Sequence, residues 1–115
     1  MIGHHPIYTA LSDADGFDHD QPDLIARLNP VLRKNNVPIY ICGHDHVLQS
    51  VTMDGIAYVC TGAGSQTYTP AAPIRGGFAS GAHGFMIMHL SRPALQYQLV
   101  DSTGAVLFGE TITRA

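Results

Sequence analysis

Apolar residues recur along the chain with two different spacings, and each spacing predicts a different element. After Pro22 they return every three or four positions, as on one face of a helix. These residues are Leu24, Ile25, Leu28, Val31 and Leu32. Pro30 lies inside the pattern and lacks a backbone N–H, so it should kink the helix or split it into two short helices.

Short apolar runs bounded by turn residues predict strands in the rest of the chain. The runs are 37–42, 47–53, 56–61, 85–91, 94–101 and 105–113, and a further strand ends near Gly3. Asp54-Gly55 links two of them and is a strong hairpin signal. A strand, a helix, a strand and then antiparallel strands predict an α/β fold that ends in a β meander. Residues 62–84, rich in Gly, Ala, Pro and Ser, are expected to form a long loop.

Composition limits the partners and points to metal chemistry. The 115 residues suffice for one small domain, and a net charge of -3 provides no basic patch, so no nucleic acid partner is expected. No apolar run approaches the length of a membrane span, so no membrane partner is expected either. Seven histidines exceed the six lysines and arginines, and imidazole is the commonest metal ligand in proteins. Cys42 and Cys60 lie in apolar runs and are predicted to be buried free thiols, which leaves the compartment open.

Two histidine motifs each follow a predicted strand. Gly-His-Asp-His at 43–46 follows the run 37–42, and Gly-His-His-Pro at 3–6 follows the first strand end. Ligands gather at the carboxyl ends of parallel strands, and a crossover connection places neighbouring strand ends side by side. We therefore expect His4, His44 and His46 to come together as metal ligands.

Other polar residues near these motifs receive weaker predictions. His5 is expected to be a pocket residue beside the ligands rather than a ligand. Asp45 either accepts a ring N–H from a histidine or points to solvent. His89 is expected to be packed or at a rim, and His83 ends the long loop within reach of the pocket. Gly62 to Ser65 are expected to form a tight turn that braces the site.

The motifs resemble those of the purple acid phosphatases. Met-Ile-Gly-His-His-Pro-Ile-Tyr looks like the fourth of five metal motifs in that family, and Gly-His-Asp-His looks like the fifth. Ile-Cys-Gly-His-Asp-His-Val-Leu-Gln and Tyr-Val-Cys-Thr-Gly-Ala-Gly-Ser are similar to the tartrate-resistant acid phosphatase branch, and the similarity covers the whole chain. The resemblance implies the carboxyl-terminal half of an α/β/β/α metallophosphoesterase sandwich, with residues 1–115 as part of that one domain.

The resemblance also implies a reaction and a set of ligands. In the family, two metal ions, commonly Fe(III) with Fe(II), Zn or Mn, drive hydrolysis of phosphate monoesters by attack of a metal-bound hydroxide. By resemblance, His4 and His44 bind the divalent ion and His46 the trivalent ion. The other ligands belong to Gly-Asp-x-Gly, Gly-Asp-x-x-Tyr and Gly-Asn-His motifs, which this sequence does not contain. The chain is thus expected to be an inactive fragment that holds at most one divalent ion, with the missing amino-terminal half as its partner.

The resemblance implies one further role. The family carries a histidine after the fourth motif that binds phosphate or protonates the leaving group, and His19 is the best match. Asp20 to Ile25 resemble the family's residues directly after that histidine, but no glycine follows His19, and Asp15-Gly16 is an alternative alignment. A solvated loop histidine is the other interpretation. The alternative function for the chain is a non-catalytic module that binds one metal through three histidines, or a non-catalytic domain of this fold that serves for interaction.

Overall fold

A computed structural model describes residues 1–11, 20–70, 73 and 75–114 of the chain. The elements in chain order are α1 (Pro22–Arg27), α2 (Asn29–Lys34), β1 (Ile39–Cys42), β2 (Leu48–Met53), β3 (Ile56–Thr61), β4 (Phe78–Ser80), β5 (Gly84–Leu90), β6 (Ala94–Asp101) and β7 (Val106–Thr113). No helix within the described residues has the length and apolar character needed to cross a bilayer. The mixed α/β class predicted from the element order is confirmed.

The predicted helix is split at Leu28, two residues before the proline that causes the break. Leu28 ends α1 and precedes α2, and Pro30 lies in the first turn of α2. An N–H at that position has no partner within the helix, so proline is well tolerated there. Leu32 is buried, whereas Val31 is 51% exposed and lies off the packed face.

The first sheet has the strand order β1-β3-β2-β4, with β1 parallel to β3 and β2 antiparallel to both of its neighbours. The parallel contact that the crossover argument requires lies on the free side of β1, where Ile2 forms a single parallel bridge with Ile41 in place of a full strand. The β2–β3 hairpin turns at Asp54-Gly55, where both residues have positive φ as a tight hairpin turn demands.

The second sheet is antiparallel in the order β5-β6-β7 and packs against the first. Leu95, Tyr97 and Leu99 of β6 point inward and share a buried cluster with Leu48 and Val59 of the first sheet. This alternation of buried and exposed residues is the pattern of a strand with one covered face. The edge strand β5 leaves several large apolar side chains exposed, namely Phe85, Ile87, Met88 and Leu90.

The two cysteines are direct neighbours across the parallel pair. Cys42 on β1 is in register with Cys60 on β3, and both are buried free thiols, as predicted. The hydrogen bond with Cys60, followed by burial, raises the pKa of the Cys42 thiol. The Cys42 thiol therefore stays protonated, and both buried side chains pack as small apolar groups in the core.

Candidate metal centre

The two histidine motifs meet at the carboxyl end of β1. The backbone N–H of Gly3 donates to the carbonyl oxygen of Ile41 at 2.9 Å, and Ile41 N–H donates to the carbonyl oxygen of Met1 at 2.9 Å. One step further along, Gly43 N–H donates to the carbonyl oxygen of His4 at 3.1 Å. These bonds hold the first motif beside the second, which is the juxtaposition that the sequence predicted.

Tyr40 fixes the second histidine of the first motif. Its hydroxyl donates to the carbonyl oxygen of His5 at 2.8 Å. A Cβ atom at Gly3 would collide with this hydroxyl, so only glycine allows the segment to pass so close. Burial, and next the neighbouring Cys42, raises the pKa of the Tyr40 phenol, which keeps its donor proton in place at neutral pH.

The rings of three histidines lie together at this point. One ring nitrogen from each of His4, His5 and His44 lies within 4.8 Å of the others, and all three side chains are exposed. The ring centroids are 4.8 Å apart for His4 and His5, 5.3 Å for His4 and His44, and 4.4 Å for His5 and His44. No other cluster of His, Cys, Asp or Glu in the described part of the chain has this geometry.

His46 lies outside that group. The segment after β1 is bent rather than extended, because Asp45 N–H donates to Gly43 O at 2.7 Å and Val47 N–H donates to Asp45 O at 2.9 Å. The alternation of a strand, which would place His44 and His46 on one side, therefore does not apply. The His46 ring is half-buried and stacks on Tyr68 instead. Its role as a metal ligand stays a prediction.

Asp45 is part of the support beneath the histidines. It is only 5% exposed, so the solvent-facing alternative for this residue is wrong. Its carboxylate lies within hydrogen-bonding reach of the Tyr68 hydroxyl, and burial together with this negative charge raises the pKa of Tyr68 to about 12. The phenol therefore stays protonated and can donate to the carboxylate at neutral pH.

The segment after β3 braces the second motif, as predicted, although residues 62–65 form a bend and not a tight turn. A Cβ atom at Gly62 would collide with the carbonyl of Asp45, and Gly62 N–H donates to the carbonyl oxygen of Val47 at 3.1 Å. The Cys60 thiol adds bonds of 3.2 Å to the carbonyl oxygens of Gly43 and Asp45. These contacts fix the backbone of the loop from behind, while a side chain at Gly43 would meet open space.

The remaining predicted residues lie apart from the cluster or outside the described part of the chain. His19 falls outside the described residues. His83 is exposed, with its ring nitrogen against the carbonyl oxygen of Ser65, and His89 is exposed on β5.

Sequence reasoning missed two contacts of the long loop. One is the stacking of Tyr68 on His46. The other is Arg75, which binds both carboxylate oxygens of Asp20 at 3.0 and 2.6 Å and donates to Thr9 O at 2.8 Å. Neither residue belongs to a motif, so no pattern in the sequence could have shown these roles.

The chain is similar to known acid phosphatases, although no family model matches it. It is 29% identical over 119 residues to purple acid phosphatase 7 of Arabidopsis thaliana. This match covers 99% of the chain and 35% of that protein. It is 30% identical over 121 residues to tartrate-resistant acid phosphatase type 5 of Oryctolagus cuniculus, covering 94% of this chain and 35% of the relative.

Two solved structures share the fold. GAP50, described as the anchor in the inner membrane complex of Plasmodium, superposes with a TM-score of 0.87 at 24% identity, over 99% of this chain and 36% of that one. Purple acid phosphatase PPD1 from yellow lupin seeds gives a TM-score of 0.75 at 17% identity, over 98% of this chain and 24% of that one.

Two packed sheets, with two histidine motifs that meet at the carboxyl end of β1, correspond to the carboxyl-terminal half of a metallophosphoesterase fold. Within that class, the resemblance to the purple acid phosphatases is confirmed, since relatives and a solved structure of that family match nearly the whole chain. The chain spans about a third of the length of the curated relatives it matches.

Proposed function

We propose that this chain supplies the histidine side of a metal centre in a protein that hydrolyses phosphate monoesters. The observation that supports it best is the meeting of His4 and His44 at the end of β1, in a chain whose relatives are acid phosphatases. When bound, metal ions in such a centre polarise the phosphate and supply the nucleophile. The chain's own residues hold and orient the imidazoles that receive the metal.

The donor atoms of the described residues fit one cation better than two. The cluster contains imidazoles alone, because Asp45 is buried against Tyr68 and Asp20 is bound by Arg75. Two cations at roughly 3.5–4 Å need shared oxygen ligands between them. In this proposal the complete centre holds two ions, Fe with Fe, Zn or Mn. The carboxylates, the tyrosine and the asparagine that bind the second ion belong to residues outside this sequence.

The roles of the remaining site residues follow from the same proposal. His4 and His44 bind the divalent ion, and His46 binds the trivalent ion once the other ligands are in place. His19 contacts the phosphate or protonates the leaving group. Residues 1–115 form part of one metallophosphoesterase domain, and the rest of that domain is the partner that covers the exposed strand edges.

The first test is phosphatase activity of the 115-residue chain alone. With p-nitrophenyl phosphate and added Fe, Zn or Mn, we expect no turnover, because three imidazoles cannot hold a bridged pair of ions. Turnover near ordinary enzyme rates of about 1–1000 per second would show that the chain is a complete enzyme.

The second test is a chimaera in which this chain replaces the matching third of Arabidopsis purple acid phosphatase 7. We expect metal-dependent turnover that falls at least ~100-fold in His44→Ala, since loss of an imidazole disrupts the metal site. His89→Ala, an exposed histidine on β5, is the matched control and should keep full activity. A chimaera that unfolds cooperatively but hydrolyses nothing would contradict the proposal.

A non-catalytic module that binds a single metal is the second candidate function. The observation that favours it is that three imidazoles meet within this one chain with no carboxylate in their group. Metal binding by a folded but inactive chimaera would support this alternative over phosphate ester hydrolysis.

A further inference from the structure

We propose that His5 is a metal ligand, and that His4, His5 and His44 together form a three-imidazole site for one divalent cation of the zinc type. The inference rests on the proposed function only in placing a cation at His4 and His44. It adds a third ligand to that cation, the imidazole of the neighbouring residue in the first motif, whereas His46 does not contact this cation.

The distances between the rings suit a single cation. Zinc–nitrogen bonds of about 2.0–2.1 Å in tetrahedral geometry place ligand nitrogens roughly 3.3 Å apart and ring centroids roughly 5 Å apart. The observed centroid separations of 4.4 to 5.3 Å already bracket that value, and the nitrogens lie within 4.8 Å. Because the rings are exposed, small side-chain rotations bring the nitrogens together without disturbing the core.

Two hydrogen bonds hold the backbone of the first motif on the side away from the rings of His4 and His5. The carbonyl oxygen of His4 accepts from Gly43 N–H, and the carbonyl oxygen of His5 accepts from the Tyr40 hydroxyl. Both bonds turn the main chain toward the sheet, and the two imidazoles lie on the exposed side. The motif thus presents two adjacent histidines to the same point in space, which an extended strand would not do.

His44 adopts a conformation that has a cost. Its φ is 63°, in the left-handed region that residues other than glycine adopt at a cost of about 1–3 kcal/mol. In this conformation its ring lies beside those of His4 and His5. Strained backbone of this kind is concentrated at functional sites, where it orients a group that acts.

His46 has a competing contact that keeps it from this group. Its ring stacks on Tyr68 with the centroids 5.9 Å apart and the planes 22° apart, and it is half-buried. To join the other imidazoles it would have to leave this contact. His5 needs no such change, since its ring is exposed and already lies 4.4 Å from that of His44.

The donor set also selects the cation. Three neutral imidazoles without a carboxylate suit zinc, copper or nickel and provide little for magnesium or calcium, which prefer oxygen ligands. The fourth position faces solvent, because all three histidines are exposed. Such a site keeps one coordination position open for water or for an anion.

The test is titration of the chain with Co(II), followed by its visible absorption, and then displacement by Zn²⁺. The chain is used at micromolar concentration, in the wild type and in single alanine variants. We expect His5→Ala to weaken Co(II) binding at least ~10-fold, and we expect the same loss for His4→Ala and His44→Ala. His46→Ala should change affinity less than about 3-fold, like the control His89→Ala, because neither ring contacts the metal.

A second measurement needs no variant. Zinc added to the ¹⁵N-labelled wild type should shift the ring nitrogens of His4, His5 and His44 together and leave those of His46 unshifted. If His46 shifts and His5 does not, the inference is wrong while the proposed function stands. If the wild type binds no tighter than a variant lacking all three histidines, both the site and the histidine role in the proposed function fail.

Discussion

The phenol ring of Tyr68 lies parallel to the imidazole ring of His46, with centroids 5.9 Å apart and planes inclined by 22°. Tyr68 N–H also donates to the carbonyl oxygen of His46 at 3.2 Å, and its hydroxyl reaches the carboxylate of Asp45. One residue of the long loop therefore holds two neighbouring residues of the Gly-His-Asp-His motif.

Tyr68→Phe tests the hydroxyl and Tyr68→Leu tests the ring. Tyr68→Phe should lower the free energy of unfolding by about 1–3 kcal/mol, since it removes a hydrogen-bond donor from a buried carboxylate. Tyr68→Leu should in addition shift the ring resonances of His46. Urea denaturation and NMR measure the two effects, with Tyr8→Phe as the control. Equal stability of Tyr68→Phe and the wild type would show that the hydroxyl contact is absent.

Gly62→Ala tests the brace behind the second motif. The added Cβ collides with the carbonyl of Asp45, a backbone atom that cannot move without displacing the histidine loop. We expect destabilisation of about 1–3 kcal/mol or more, as for other substitutions that overpack a site. Gly64→Ala is the matched control, because a Cβ atom there meets open space. Similar unfolding midpoints for the two variants would argue against this packing.

Stability should fall at alkaline pH. Burial raises the pKa of Tyr97 above its ordinary value of 10.0. The hydrogen bond with Ser50 lowers this pKa, and the hydrogen bond with Glu110 raises it. The folded state thus holds the phenol proton more tightly than the unfolded chain does. The resulting stabilisation is complete below pH 10 and is lost as the pH rises above it.

Tyr97→Phe isolates this contribution. The variant should be less stable at pH 7 by about 1–3 kcal/mol, because Ser50 and Glu110 lose the hydroxyl between them at 2.8 and 2.7 Å. Its stability should then decline less steeply than that of the wild type from pH 9 to 11. Urea midpoints across this range measure both effects, and parallel curves would refute the assignment.

The edge strand β5 should make the isolated chain prone to association. Ile87 and Leu90 are exposed on it, Leu90 at 70%, and the outer backbone groups of an edge strand have no ladder partner within its sheet. We expect rapid hydrogen exchange along β5 and concentration-dependent oligomers. Ile87→Lys should suppress them without lowering stability, as light scattering and urea denaturation can show. Thr52→Lys, exposed on β2 of the other sheet, is the control that should leave association unchanged.

Elements that depend on local pattern were predictable from the sequence. The divided helix, the Asp54-Gly55 hairpin and the buried thiols follow from proline, turn and apolar spacing alone. The strand β4 was missed, because its three residues lie among glycines and pair with β2 only in the folded sheet. Such a short strand is stabilised by its tertiary partner, and its own sequence carries no period.

The site was predictable in its location but not in its detail. A crossover places His4 near His44 whatever the loop geometry. The grouping with His5 instead of His46 depends on a bend at Asp45 and a positive φ at His44, which the motif letters do not encode. The strand alternation used for the sequence prediction ends at Cys42, one residue before the motif begins.

The parallel pairing of the first motif with β1 also ties metal binding to the order of folding. His4 and His44 are separated by about 40 residues, and closing a connection of that length is among the slower steps for a small domain. A cation that requires both imidazoles binds only after the helices have crossed over and Met1 and Gly3 have paired with Ile41. In a refolding experiment with Co(II), the appearance of the cobalt spectrum would therefore report when residues 1–3 pair with β1. This event can be followed separately from the formation of the helices and the hairpin.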